Sequence, residues 1–154
     1  MSLEVLNSID DSQIPVGKLI SIIARGQSIY LNHHLEEFGI NSTQLYLLFE
    51  ISNRCNCNQE EISKRFNINK GSVARSVRKL EEMGLITREI DENNRRQNKL
   101  SLTDAGEDTL DKTIKILKTW EDEVIKEKGY VDKELLKKVL KEIAIKTIEL
   151  NQGE

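Results

Sequence analysis

Apolar side chains recur three and four residues apart over most of this chain, and alternate with polar ones only in a short stretch between residues 85 and 102. The two spacings separate helices, which turn about 100° per residue, from half-buried strands. Leu110, Ile114, Leu117 and Val124 form one helical stripe, and Leu136, Val139, Leu140, Ile143 and Leu150 form another. Val73, Val77 and Leu80 fall within a third, narrow one. Ile62 and Phe66, four apart, give a shorter helix its apolar face. Punctuating residues then set the ends. The first long helix is expected from about Pro15, tolerated in a first turn, to Phe38, with Gly39 closing it. Asn41 with Gln44 is a capping box that opens a helix to about Asn53, and Asn58 with Glu61 is a second. After a turn at Asn67-Ile68-Asn69, Asn69 caps a helix from about Lys70 to Met83, closed by Gly84. A long helix follows Thr103 to about Lys128, where Gly129 ends it. Asp132 caps the last helix, with Val131 and Leu136 placed as a hydrophobic staple. Leu85 to Ile90, with Ile86 and Ile90 on one face, and Lys99 to Leu102 read as strands. The polar turn between them, Asp91 to Asn98, has Asn93-Asn94 at its tip.

This order is mainly α with a small β-hairpin: a winged helix-turn-helix flanked by long N- and C-terminal helices. One compact domain is expected, with residues 41–103 as the winged DNA-binding region and residues 1–40 and 104–154 as a helical dimerisation region. A three-helix reading unit cannot bury two further amphipathic helices on itself, so a second copy is the economical partner. Two-fold symmetry would offer two recognition helices to successive major grooves, roughly 10 base pairs apart. The competing arrangement is a monomer whose terminal helices fold back over its own core.

Length and composition agree. At 154 residues, 38% apolar and 32% charged, the chain suits one domain. The longest aliphatic run, Leu19 to Ala24, is far too short to span a bilayer, and Met1 is not followed by a signal-peptide pattern. A cytoplasmic protein that does not engage membranes is expected.

Charge adds a direction. The whole chain is acidic, with 23 basic against 26 acidic side chains, yet residues 54–99 hold 11 basic and 7 acidic ones. From Ile62 to Leu80 stand Lys64, Arg65, Lys70, Arg75, Arg78 and Lys79 with no acidic residue among them. A basic island on an acidic background can hold phosphates while the remainder stays soluble. On a helical wheel Gly71, Arg75, Arg78, Lys79 and Glu82 face away from the Val73 stripe, with Ser72 at the flank. Gly71 lets another surface approach the backbone, and the helix N-terminus offers amide donors to a phosphate. Arg95 and Arg96 belong to the hairpin turn, and an arginine on a thin hairpin can enter a DNA minor groove. The plainer alternative is an ordinary solvated face.

These residues resemble a known family. Lys70-Gly71-Ser72-Val73-Ala74-Arg75, then Arg78 to Ile86, then Arg95-Arg96 followed after five residues by Leu102-Thr103-Asp104-Ala105-Gly106, are similar to the signature of the MarR (multiple-antibiotic-resistance regulator) family, closest to archaeal members. The resemblance covers nearly the whole chain. It implies a homodimeric DNA-binding regulator, a repressor of a pseudo-palindromic operator, released by a small phenolic or aromatic acid. By motif position Ser72, Arg75 and Arg78 would enter the major groove, with Arg95 or Arg96 at the wing. The family usually has Asp immediately before the paired arginines, where this chain has Asn94. Effectors in such proteins commonly bind between the dimerisation helices and the winged module. On that implication Arg25, a lone arginine amid Ile22, Ile23 and Ile29, would hold an aromatic carboxylate. Lys18 would assist, and Tyr30 or Tyr46 would provide an aromatic wall. Pairing of Arg25 with an acidic group across a dimer is the alternative.

Other chemistry is thin. Cys55 and Cys57, in the loop before the helix-turn-helix, lack a second ligand pair and make a poor zinc site; a redox switch and incidental thiols both remain open. Adjacent His33 and His34 project about 100° apart on a helix and cannot chelate like an i, i+4 pair. No phosphate loop or catalytic set is visible, so neither enzyme activity, cofactor nor metal is expected. Two functions stay open: a sequence-specific regulator, or a winged-helix module that binds nucleic acid non-specifically or an acidic protein.

Overall fold

The computed structural model describes residues 3–53, 57–66, 69–90, 98–125 and 132–152. Arg54 and Cys55, Asn67 and Ile68, most of the expected polar turn (Asp91 to Gln97, with Arg95 and Arg96), and Gly129 with Val131 lie outside them. So do the side chains of Cys57, Arg65, Phe66 and Ile90. Along the chain run α1 (Leu3–Ser8), α2 (Val16–Leu35), α3 (Ser42–Asn53), β1 (Cys57–Asn58), α4 (Gln59–Phe66), α5 (Lys70–Glu82), β2 (Ile86–Ile90), β3 (Asn98–Leu102), α6 (Asp104–Ile125) and α7 (Lys133–Gln152). The architecture is mainly helical with an antiparallel hairpin, as the residue pattern predicts. Two compact units divide it, residues 1–117 and residues 118–154.

In the first unit the capping residues act where the sequence places them. Asn41 Oδ1 accepts from Gln44 N–H at 3.0 Å while Gln44 Oε1 accepts from Asn41 N–H at 2.9 Å, and Asn58 with Glu61 repeats the exchange at 2.9 and 3.4 Å. Each box satisfies donors that the first helical turn leaves open. Pro15 differs by one position from expectation. It is the N-cap, with ψ 134°, and α2 begins at Val16, because the ring supplies the fixed φ but the extended ψ keeps it outside the helix. The far end of α2 tightens into a 3-10 turn, Glu36–Phe38, before Gly39 reverses the chain at φ +67°.

The core joins α2, α3, α4, α5 and the sheet through Leu31, Leu35, Leu45, Leu48, Ile62, Val73, Val77, Leu80, Ile86 and Leu100, all at most 2% exposed, and takes in α6 through Leu110 at 8%. The hairpin gains a third strand that the pattern of residues did not suggest. Cys57 and Asn58, read as loop, pair with Leu100 and Lys99, so the strand order is β1-β3-β2. Two residues are too few to show alternation, and β1 exists because β3 offers a free edge.

α6 is anchored to the base of the hairpin by backbone contact. Thr103 Oγ1 accepts from Gly106 N–H at 3.0 Å and donates to the Gly84 carbonyl at 2.6 Å, while Thr103 N–H donates to the Leu85 carbonyl at 3.1 Å. Gly106 packs so closely that an added Cβ would lie 1.9 Å from Leu85 O. This is a close-approach glycine.

In the second unit Asp132 caps α7 by accepting from Leu135 N–H at 2.8 Å. Lys133 meets Asp122 at 2.9 Å and Glu121 at 3.5 Å, and Lys137 also reaches Glu121 at 3.5 Å. The hydrogen bond to Asp122 leads in raising the Lys133 ammonium above its ordinary range. None of the described α7 residues is buried. Leu135, Val139, Leu140, Ile143 and Leu150, which share one face of α7, are 39–66% exposed, although an apolar stripe of this kind is built for burial.

Candidate nucleic-acid interface

Three local devices present α5. Asn69 Oδ1 accepts from Gly71 N–H at 2.8 Å and caps its start. Val73, Val77 and Leu80, fully buried, fix its rotation. Gly84, at φ +70°, ends it, with Gly84 N–H donating to Glu81 O at 2.9 Å and Leu85 N–H to Leu80 O at 3.0 Å. Those two bonds form a Schellman cap, in which Leu85 turns back onto Leu80. With three sides settled, the remaining face is open: Gly71, Arg75, Arg78, Lys79 and Glu82 are exposed and Ser72 is half-buried.

The charge on this face is more compensated than the sequence count implies. Acidic residues just outside the basic run reach back into it. Glu60 meets Lys64 at 3.4 Å and Lys70 at 3.6 Å, and its carboxyl is held below the ordinary range, first by the Lys64 hydrogen bond. Arg78 Nε donates to Glu82 at 2.8 Å. Arg75 instead donates from Nη2 to Ser72 Oγ at 3.0 Å, which aligns two base-edge-capable groups. Among the described residues, neither Arg75 nor Lys79 has an ion-pair partner. A phosphate would therefore meet these two without displacing a carboxylate.

Open grooves border α5 on both flanks. One, about 330 Å³, is lined by Asn41, Thr43 and Gln44 of the α3 end and by Ser72, Arg75, Ser76 and Lys79. The other, about 480 Å³, is lined by Gln59, Ala74, Arg78, Glu81 and Arg88. Sequence reading singled out neither Ser76 nor Arg88. The position of Arg88 two residues after Ile86, hence on the same side of the strand, was the signal available. The four residues expected at an effector site line neither groove. Lys18 and Arg25 are exposed on α2. Tyr30 and Tyr46 are half-buried against the core, where Tyr30 meets His34 at 4.3 Å between ring centres with the rings tilted 46° apart, and Tyr46 donates to Gln27 Oε1 at 2.8 Å. Burial pushes the Tyr46 hydroxyl above the ordinary tyrosine range. His33 and His34 meet each other edge to face at 5.3 Å. Among the described residues no cluster of His, Cys, Asp or Glu could hold a metal ion, and no helix is long and apolar enough to cross a membrane.

A capped helix with an outward basic face, carried beside a β-hairpin, defines a winged helix-turn-helix of the kind used by transcription regulators. The MarR family profile matches residues 40–97. The chain is 32% identical over 98 residues to the HTH-type transcriptional regulator BilQ of Clostridium symbiosum (strain WAL-14163), covering 64% of this chain and 68% of that protein. BilQ of Clostridioides difficile (strain CD3) is 27% identical over 120 residues, with 77% and 81% covered. Among solved structures, the crystal structure of MarR is 29% identical, with a TM-score of 0.86 over 96% of this chain and 100% of that one. A MarR transcriptional regulator from Methanosarcina mazei Go1 is 27% identical, with a TM-score of 0.76 over 90% and 98%. This chain belongs to the MarR family, whose members are non-enzymatic DNA-binding transcription regulators.

Proposed function

We propose that the chain is a homodimeric, sequence-specific repressor that binds a pseudo-palindromic operator and is released by a small aromatic or phenolic acid. The observation that carries the DNA-reading part is the outward face of α5. Its cap, core stripe and Schellman turn leave Arg75, Arg78 and Lys79 facing solvent together. In this reading Ser72, Arg75 and Arg78 address base edges in the major groove. Lys70, Lys79 and the backbone at Gly71 hold phosphates, and Arg95 or Arg96 enters the minor groove. Residues 41–103 are then the DNA-binding region, and residues 1–40 and 104–154 the dimerisation region.

The dimer is supported by apolar residues exposed on the terminal helices. Val16, Ile20 and Ile23 stand on α2 at helical spacing, and the α7 stripe adds five more. Exposure on that scale marks surfaces that another chain covers. Release by an aromatic acid assigns the carboxylate to Arg25 with Lys18, and the ring to Tyr30 or Tyr46. The exposed guanidinium of Arg25 supports that assignment. An archaeal affinity within the family gains no support from the curated relatives, which are clostridial, and is not retained.

The test is a gel shift with DNA from upstream of the chain's own gene, in excess nonspecific competitor. Retention of one fragment, lost on adding an aromatic carboxylate to the native protein but not to Arg25→Ala, is the expected result. Equal binding to all fragments would instead favour the non-specific interaction module.

A further inference from the structure

β2 carries an arginine on its inward face. Ile86 lies opposite Leu102 and Arg88 opposite Leu100 in the antiparallel register, and directly opposed residues share one side of a sheet. Leu100 is fully buried. Arg88 therefore stands on the core-facing side of the wing, where its Nη2 meets Glu81 Oε2 of α5 at 3.1 Å. The two side chains are 29% and 40% exposed, against 79% and 62% for the neighbouring Arg78–Glu82 pair. Arg88 Nε is buried and has no hydrogen-bond partner among the described residues.

Such a site is a poor way to gain stability. A buried donor without an acceptor opposes folding, and an apolar side chain of similar length would fill the same space without that penalty. What the pair does supply is direction. The chain passes from α5 to β2 through only the turn at Met83, Gly84 and Leu85, and the Glu81–Arg88 contact closes across it. A guanidinium is a planar fork, so its contact fixes orientation as well as distance. We propose that Arg88, acting through Glu81, is a positioning residue that fixes the wing hairpin on the recognition helix. The inference rests on the regulator reading above, because it gives the two elements different grooves to address. Held at one angle they bind as a single rigid body. Released, the wing must be ordered at the moment of binding, which weakens affinity and blurs discrimination.

Four variants test it: Arg88→Met, Arg88→Lys, Glu81→Gln, and the swap Glu81→Arg with Arg88→Glu. Each is measured for urea stability, for amide hydrogen exchange in β2 and β3, and for affinity to operators with A·T or G·C flanks. In Arg88→Met stability should hold or rise, and in both Arg88→Met and Glu81→Gln hairpin amides should exchange several-fold faster while flank preference drops several-fold. Arg88→Lys should not restore either, and the swap should recover slow exchange at least in part. Hairpin exchange and flank preference left unchanged in Arg88→Met and Glu81→Gln would overturn the proposal, as would stability and binding falling in parallel in Arg88→Met. If the native chain itself fails to prefer one DNA fragment, the regulator reading fails, and hydrogen exchange still decides whether the pair holds the wing. Should Arg88→Met not fold, Glu81→Gln, which keeps shape and loses only charge, carries the same decision.

Discussion

A methyl group on Gly106 would collide with the Leu85 carbonyl, itself held by Thr103 N–H, so neither partner can yield without disturbing both the hairpin base and the start of α6. Gly106→Ala should cost about 1–3 kcal/mol or more, as other overpacked sites do, and shift the urea midpoint accordingly. On α5 the expected effects divide by role. Arg75→Ala and Arg78→Ala should each cost about 1–3 kcal/mol in operator binding and relax preference at one position per half-site. Lys79→Ala should weaken all sequences alike, which competition against random fragments would show. Tyr46 gives a pH signature. Burial raises its folded pKa above the unfolded value, so its contribution is fully present below the ordinary tyrosine pKa and is lost as pH rises past it. Ultraviolet titration should show a late-ionising tyrosine that disappears in Tyr46→Phe.

Between elements, the caps do most of the specifying, and each is a local signal. Asn69→Ala should cost about 1 kcal/mol, seen as a lower melting temperature with unchanged helix content. This locality explains what could be read from residues alone. Asn41, Asn58, Asn69 and Asp132 each need only a backbone amide two or three positions away, so their roles were visible. The stripe of α5 was equally plain, because Val73, Val77 and Leu80 all pack inward. α1 was not foreseen, since it buries no residue and has no stripe to detect. β1 was missed because its pairing partner lies about 40 positions later, and nothing local encodes an edge. The inward turn of Arg88 and the reach of Glu60 and Glu82 into the basic run depend on register and side-chain reach. Charge counting along the chain could not reveal them.

For the molecule as a whole, the exposed stripe on α7 and the apolar residues of α2 set the expected assembly. Sedimentation should give a dimer, and deleting residues 133–154 should yield an aggregating or unfolded chain. A truncated protein that stays a soluble monomer with unchanged DNA affinity would contradict the dimer. Removing both Arg95 and Arg96 should lower the salt dependence of binding by roughly one to four units of slope per dimer, at about 0.9 per phosphate released.

The hydrogen bond from Thr103 to Gly84 ties together two points 19 positions apart, at the foot of the hairpin. Everything between them is a closed loop whose ends are already fixed. The entropy of closing such a loop grows only with the logarithm of its length, so four extra residues at the tip would cost roughly 0.2 kcal/mol. Wing length is thus nearly free to drift without unfolding the domain. Selection can lengthen or shorten it to suit the operator, while the recognition helix and core stay as they are.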